Sequence, residues 1–111
     1  MRTFTVNGVE YNAKPFDFNM ACDLEDRGIA LSVFVSKPNA AIRSYFAVCA
    51  NMSIEKAGNE LNAHFVSGNN LGELAEAMNA ELDASDFFQQ MVRQAAAAMK
   101  GKKAENQNTV H

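Results

Sequence analysis

Glu60 and His64 stand one helical turn apart, the spacing at which a carboxylate and an imidazole on one helix face can share a metal ion. Two ligands do not complete a site. The di-metal carboxylate motif of helical bundles needs Glu-x-x-His twice with two further glutamates, so the pair reads as solvated residues flanking an apolar stripe. Cys22, Cys49 and His64 lack the spacing of a zinc motif. The two cysteines lie among apolar neighbours and are expected to stay reduced and act as small hydrophobes. Glu73, Glu76, Glu81, Asp83 and Asp86 form an acidic run. Carboxylates do acid–base work only where a cleft shifts their proton affinity, and on the polar side of an amphipathic helix they are simply hydrated. There is no glycine-rich phosphate loop, nucleophile elbow or dinucleotide fingerprint. The expectation is a protein that is not an enzyme, with no catalytic residues, metal or cofactor.

The remaining chemistry is that of surfaces, so the elements that carry them decide the reading. The 111 residues suit one domain with its own core, 48% of them apolar and 21% charged. A net charge of −3 argues against a general binder of phosphate backbones. No apolar run nears the roughly 20 residues of a membrane helix. The opening residues, Met1 to Val6, lack the apolar core of a signal peptide. Neither nucleic acid nor membrane is an expected partner.

Thr3–Val6 and Val9–Asn12 flank Asn7-Gly8, the dipeptide suited to a type I′ turn. A hairpin over about residues 2–13 follows, with Phe4, Val6, Val9 and Tyr11 on one apolar face. Asp17 is placed to cap a helix running to about Arg27, with Met20, Ala21 and Leu24 inward and Gly28 ending it. Ile29 to Val35 is apolar without helical period and reads as an extended connection or a short strand. Pro38 opens a helix of about 39–50 with the stripe Ile42, Tyr45, Phe46, Cys49. Ser53 caps the next, with the stripe Ile54, Ala57, Leu61, Phe65. Asn70 and Glu73 resemble a capping box before Leu71, Leu74, Ala75, Met78 and Leu82. Ser85 caps the last helix, carrying Phe87, Phe88, Met91, Val92, Ala95, Ala96 and Met99. The fold class expected is mainly α (α+β): an N-terminal hairpin and a compact cluster of four to five short helices within residues 1–100. A disordered polar tail over 101–111 completes the chain.

The helices near 39–50 and after Ser53 have helix-turn-helix proportions. A recognition helix, however, needs a basic surround and base-reading side chains. The outward residues here are Glu55, Lys56, Asn59, Glu60 and Asn62, two acids against one base. The last helix is the better functional candidate. Phe87, Phe88 and Val92 are expected to seal the core, leaving Met91, Ala95, Ala96, Ala98 and Met99 for a partner or a second copy of the chain. Alanine holds a helix unaided and lets another approach closely, and methionine adapts to varied apolar shapes.

The order of these motifs resembles the tail assembly chaperones of long-tailed bacteriophages over roughly residues 2–92. The likeness is carried by "FTVNGVEYNAKPFDFNMACDLEDRGI" and "AAIRSYFAVCANMSIEKAGNELNAHFVSGNNLGELAEAMNAEL". It extends to "SDFFQQM", similar to a Ser-Gly-Phe-Phe segment of such proteins, with Asp86 in the glycine's place. The resemblance implies a small, largely helical, non-enzymatic binding protein. Its partners would be the tape measure protein and the tail tube protein, in the cytoplasm of the infected bacterial host, and it would be absent from the mature virion. It also implies a longer product made by ribosomal frameshifting, for which Gly101-Lys102-Lys103 is a candidate position. A structural tail completion or connector protein and a helix-turn-helix regulator are the competing readings.

Overall fold

In a computed structural model, residues 2–109 are described, with side chains described for residues 2–97. Strands β1 (Thr3–Val6) and β2 (Val9–Asn12) pair antiparallel, Phe4 opposite Tyr11 and Val6 opposite Val9. Asn7 (φ +52°) and Gly8 (φ +76°) both occupy the left-handed region, as a type I′ turn requires. Phe4 and Val6 are buried, Tyr11 is half-buried, and Val9, beside the turn, is exposed.

Six helices follow: α1 (Phe18–Asp26), α2 (Val33–Ser36), α3 (Pro38–Ala50), α4 (Ile54–Val66), α5 (Gly72–Ala84) and α6 (Asp86–Thr109). Asp17 caps α1 by accepting the Met20 N–H at 3.0 Å, and Gly28 ends it at φ +79°. Ser53 caps α4 through the Lys56 N–H at 3.1 Å. Ser85 caps α6, accepting the Phe88 N–H at 2.9 Å while its hydroxyl donates to the Phe16 carbonyl. One side chain thereby anchors the last helix to the loop that precedes α1.

Three expectations are corrected here. The apolar stretch from Ile29 is neither extended nor a strand: after Gly28 it turns, then forms the one-turn helix α2, the second of the six helices among the described residues. Among the described residues, the hairpin's edge is therefore not extended by a third strand. The capping box before α5 is not made: Leu71 is the N-cap, and it has no side-chain cap hydrogen bond. Asn70 Oδ1 accepts the Gly72 N–H at 2.9 Å, but the Glu73 carboxylate reaches across to accept the β1 Thr5 N–H at 2.8 Å. Finally, α6 continues as helical backbone to Thr109, across most of the stretch expected to be a disordered tail. Lys102, Lys103, Ala104 and Glu105 are good helix formers. Residues 110 and 111 lie outside the described residues.

Helix α3 is the axis of the core. It meets α1, α2, α4, α5 and β2, so burial extends beyond the single stripe of its sequence to Ala41, Ser44, Ala47 and Val48. Phe46 lies edge-on to Tyr11 and Phe4, with centroids at 5.1 and 6.0 Å. A second aromatic group surrounds Phe16, with Phe34 and Phe88 each at 5.1 Å. The fully buried Tyr45 satisfies its hydroxyl by donating to the Lys14 carbonyl at 2.7 Å, the pairing a buried phenol needs.

Candidate partner-binding surface

The groups with the most reactive chemistry are occupied in holding the fold together. His64 is buried, not solvated, and Phe65 beside it is 62% exposed. This reverses the expected stripe of α4, which placed Phe65 inward and His64 out. The imidazole Nδ1 accepts the Asn7 N–H at 3.0 Å, and Nε2 faces the Asn70 carbonyl at 3.0 Å. The backbone donor fixes Nδ1 as the bare nitrogen, so Nε2 carries the proton and donates to Asn70. Asn7 Nδ2 also donates to the Glu60 carbonyl at 3.0 Å, with Glu60 Oε1 at 3.3 Å. Glu60 and His64 thus clasp the hairpin turn to α4 and to the loop before α5. The i,i+4 spacing has a purpose, and it is structural.

The acidic run is likewise partly committed. Glu73 holds β1 through Thr5, and Glu81 pairs with Arg2 at 2.8 Å. Among the described residues, no three of His, Cys, Asp and Glu gather closely enough to hold a metal ion. The cysteines differ from each other. Cys49 is half-buried, and burial pushes its thiol above the ordinary range, with a backbone hydrogen bond from Lys14 and the Tyr45 hydroxyl opposing that rise. Cys22 is exposed, against the expectation that both sit in apolar surroundings. It falls on the outer side of α1, whose inward face is Met20, Ala21 and Leu24.

An apolar groove opens beside α2 and α6, while Val9, Phe18, Phe65 and Val66 are exposed elsewhere on the surface. Leu31, Ser32, Val35, Met91, Val92, Ala95 and Ala96 line the groove, of about 380 Å³. Its walls are aliphatic apart from Ser32, and none of the lining residues is charged. Val35 is 69% exposed at its rim. Phe88 is buried, and Phe87, Met91 and Val92 pack half-buried against the core; from Arg93 to Ala97 every side chain is exposed. The groove brings together Met91, Ala95 and Ala96 of the expected partner-binding set. Ala98 and Met99 belong to the part of α6 whose side chains are not described.

Leu31 and Val35 complete this surface and were not among the expected binding residues. Their signal was the lack of helical period in the apolar run from Ile29, which left no face on which to bury them all. A second groove of about 480 Å³, between α3 and α4, differs in character. Its apolar floor of Ile42, Leu61, Phe65 and Leu71 is rimmed by Asn39, Arg43 and Asn62. On α4 the exposed residues Glu55, Lys56, Asn59 and Asn62 give no basic surround of the kind a duplex requires.

No family model, curated protein or solved structure matches this chain.

Proposed function

We propose that this protein is a non-enzymatic binding module that covers an apolar stripe of a helical client. With the sequence resemblance, this makes it a phage tail assembly chaperone that binds the tape measure protein. The reading rests chiefly on the uncharged groove between α2 and α6. A groove of this kind accepts the i, i+3, i+4 anchors of an amphipathic helix. Ala95 and Ala96 let that helix come close, and Met91 adapts to it. A client stripe so covered would be kept from aggregating until tail tube subunits replace the chaperone. The site of action would be the host cytoplasm, and the protein would not enter the finished virion.

The test is co-expression with the long coiled-coil protein encoded in the same phage. Wild-type chain is expected to co-purify with it and keep it soluble. Val35→Glu and Ala95→Glu each place a carboxylate in the groove at an exposed position, so both variants should fold normally and lose the complex. Failure of the wild type to bind, or binding untouched by both charges, would overturn the proposal. A shift of duplex DNA that weakens steeply with salt would favour the regulator reading. Presence of the chain in purified virions would favour a structural tail component.

A further inference from the structure

Asn7-Gly8 is the single Asn-Gly dipeptide of the chain, and Asn7 in the hairpin turn faces three acceptor atoms of Glu60 and His64 on α4. We propose that Asn7 is a spontaneous deamidation site, restrained by the clasp with His64 and Glu60, and that the reaction releases the hairpin tip from α4.

The chemistry needs only water. The Gly8 backbone nitrogen loses its proton and attacks Cγ of Asn7. The Cγ–Nδ2 bond breaks, ammonia departs with the proton, and a five-membered imide remains. Water opens that ring at either carbonyl, leaving aspartate or its β-linked isomer at position 7. One water is consumed and one ammonia released, with no change of oxidation state. Glycine is the most permissive following residue because no side chain obstructs the attacking nitrogen. Here Gly8 is exposed, with open space where a Cβ would stand. Steric burial therefore does not protect the site.

The protection comes from the hydrogen bonds. Closing the ring requires the side chain of Asn7 to swing toward its own following peptide. Its Nδ2 is instead held by the Glu60 carbonyl at 3.0 Å and faces Glu60 Oε1 at 3.3 Å. Its backbone N–H is fixed on His64 Nδ1 at 3.0 Å, and φ +52° sets the turn. The attack must await local opening, and a reaction gated by opening slows by the opening equilibrium constant.

The product cannot re-form the Glu60 half of the clasp. A carboxylate at position 7 has no proton to give and would face two acceptors of Glu60, one of them charged. The β-linked isomer adds a methylene to the main chain and breaks the register of a two-residue turn, whose geometry sets the pairing of both strands.

The experiment compares the full chain with a synthetic peptide of residues 3–12 at the same mildly alkaline pH, following deamidation at Asn7 by peptide mapping. The folded chain is expected to react on the order of tenfold or more slowly, the factor that about 1.4 kcal/mol of opening cost supplies. Glu60→Ala, which removes one contact and leaves the core intact, should recover part of the peptide's rate. Asn7→Asp should melt below both wild type and Asn7→Gly, which keeps the turn but brings no charge toward Glu60. Equal rates in chain and peptide would overturn the restraint. An Asn7→Asp variant as stable as Asn7→Gly would overturn the release.

Discussion

Exchanging the two neighbours His64 and Phe65 in turn for serine sets the hydrophobic pattern of α4 against its folded geometry. By pattern, Phe65 is the core residue and its loss should be severe. By geometry, Phe65 is 62% exposed and His64 is 8% exposed. His64→Ser removes the acceptor of the Asn7 N–H and the donor to the Asn70 carbonyl, both at 3.0 Å. A buried backbone group left without a partner costs about 1–3 kcal/mol. Asn7 is half-buried and Asn70 exposed, so water recovers part of that, and the pair should sum to roughly 2 kcal/mol. The space vacated by the ring adds roughly 1 kcal/mol. The total of about 3 kcal/mol corresponds, for a domain of this size, to a drop in melting temperature on the order of 10 °C. Phe65→Ser gives up only the covered edge of a mostly hydrated ring, and the two residues have similar helix propensity, so it should cost under about 1 kcal/mol. Thermal melts by circular dichroism, checked by urea titration, measure both. If Phe65→Ser proves the more damaging of the two, the clasp is not what holds the hairpin and the account of α4 fails.

Alkaline pH should destabilise the protein through the pair at its centre. Burial drives the Tyr45 phenol and the Cys49 thiol upward, so the folded state keeps protons that the unfolded chain gives up. Stability is then full below the unfolded thiol value and falls as pH rises through about 8.5 to 10 and beyond; a urea midpoint that rises over that window would contradict the assignment. In the native protein at neutral pH a thiol reagent should modify Cys22 well before Cys49, and comparable rates would show that Cys49 is not sheltered. Along α6, amide exchange should be slow around Phe88 to Val92 and fast from Arg93 onward, where packing against the domain ends; uniform protection through Ala97 would mean that the alanine half is already covered.

Much of this architecture is legible in the sequence because local chemistry is enough to specify it. Asn7-Gly8 fixes the hairpin and its register, and Asp17, Ser53 and Ser85 each mark a helix start with a side chain that caps it. Pro38 and Gly28 bound elements for reasons of backbone geometry alone. What resisted reading depends on tertiary partners. His64 looks hydrated until the hairpin turn arrives to supply a donor for it. Phe65 looks buried because helical period knows nothing of which flank a neighbour covers. Glu73 has the spacing of a capping box, yet Thr5 of β1 offers its carboxylate a longer-range partner. The run from Ile29 to Val35 had no period to read, since its apolar residues divide between the core and the groove.

That division bears on why the apolar surface lies where it does. Phe34 goes inward to Phe16 while Val35, its neighbour, stays exposed; a one-turn helix cannot point consecutive side chains the same way. Ser85 fixes the start of α6 against the Phe16 carbonyl, which directs Phe88 into the same aromatic group and leaves Met91 and Ala95 along the edge of α2. The groove is therefore a consequence of how the core is closed. A residue that improved its burial, such as a large side chain at Ala95, would fill the groove from within and, under the proposed function, remove the surface offered to a client. A more stable domain and a weaker binder would be the same molecule. Under the proposed function, this trade-off would account for two small residues, Ala95 and Ala96, at the place where larger ones could have sealed the fold.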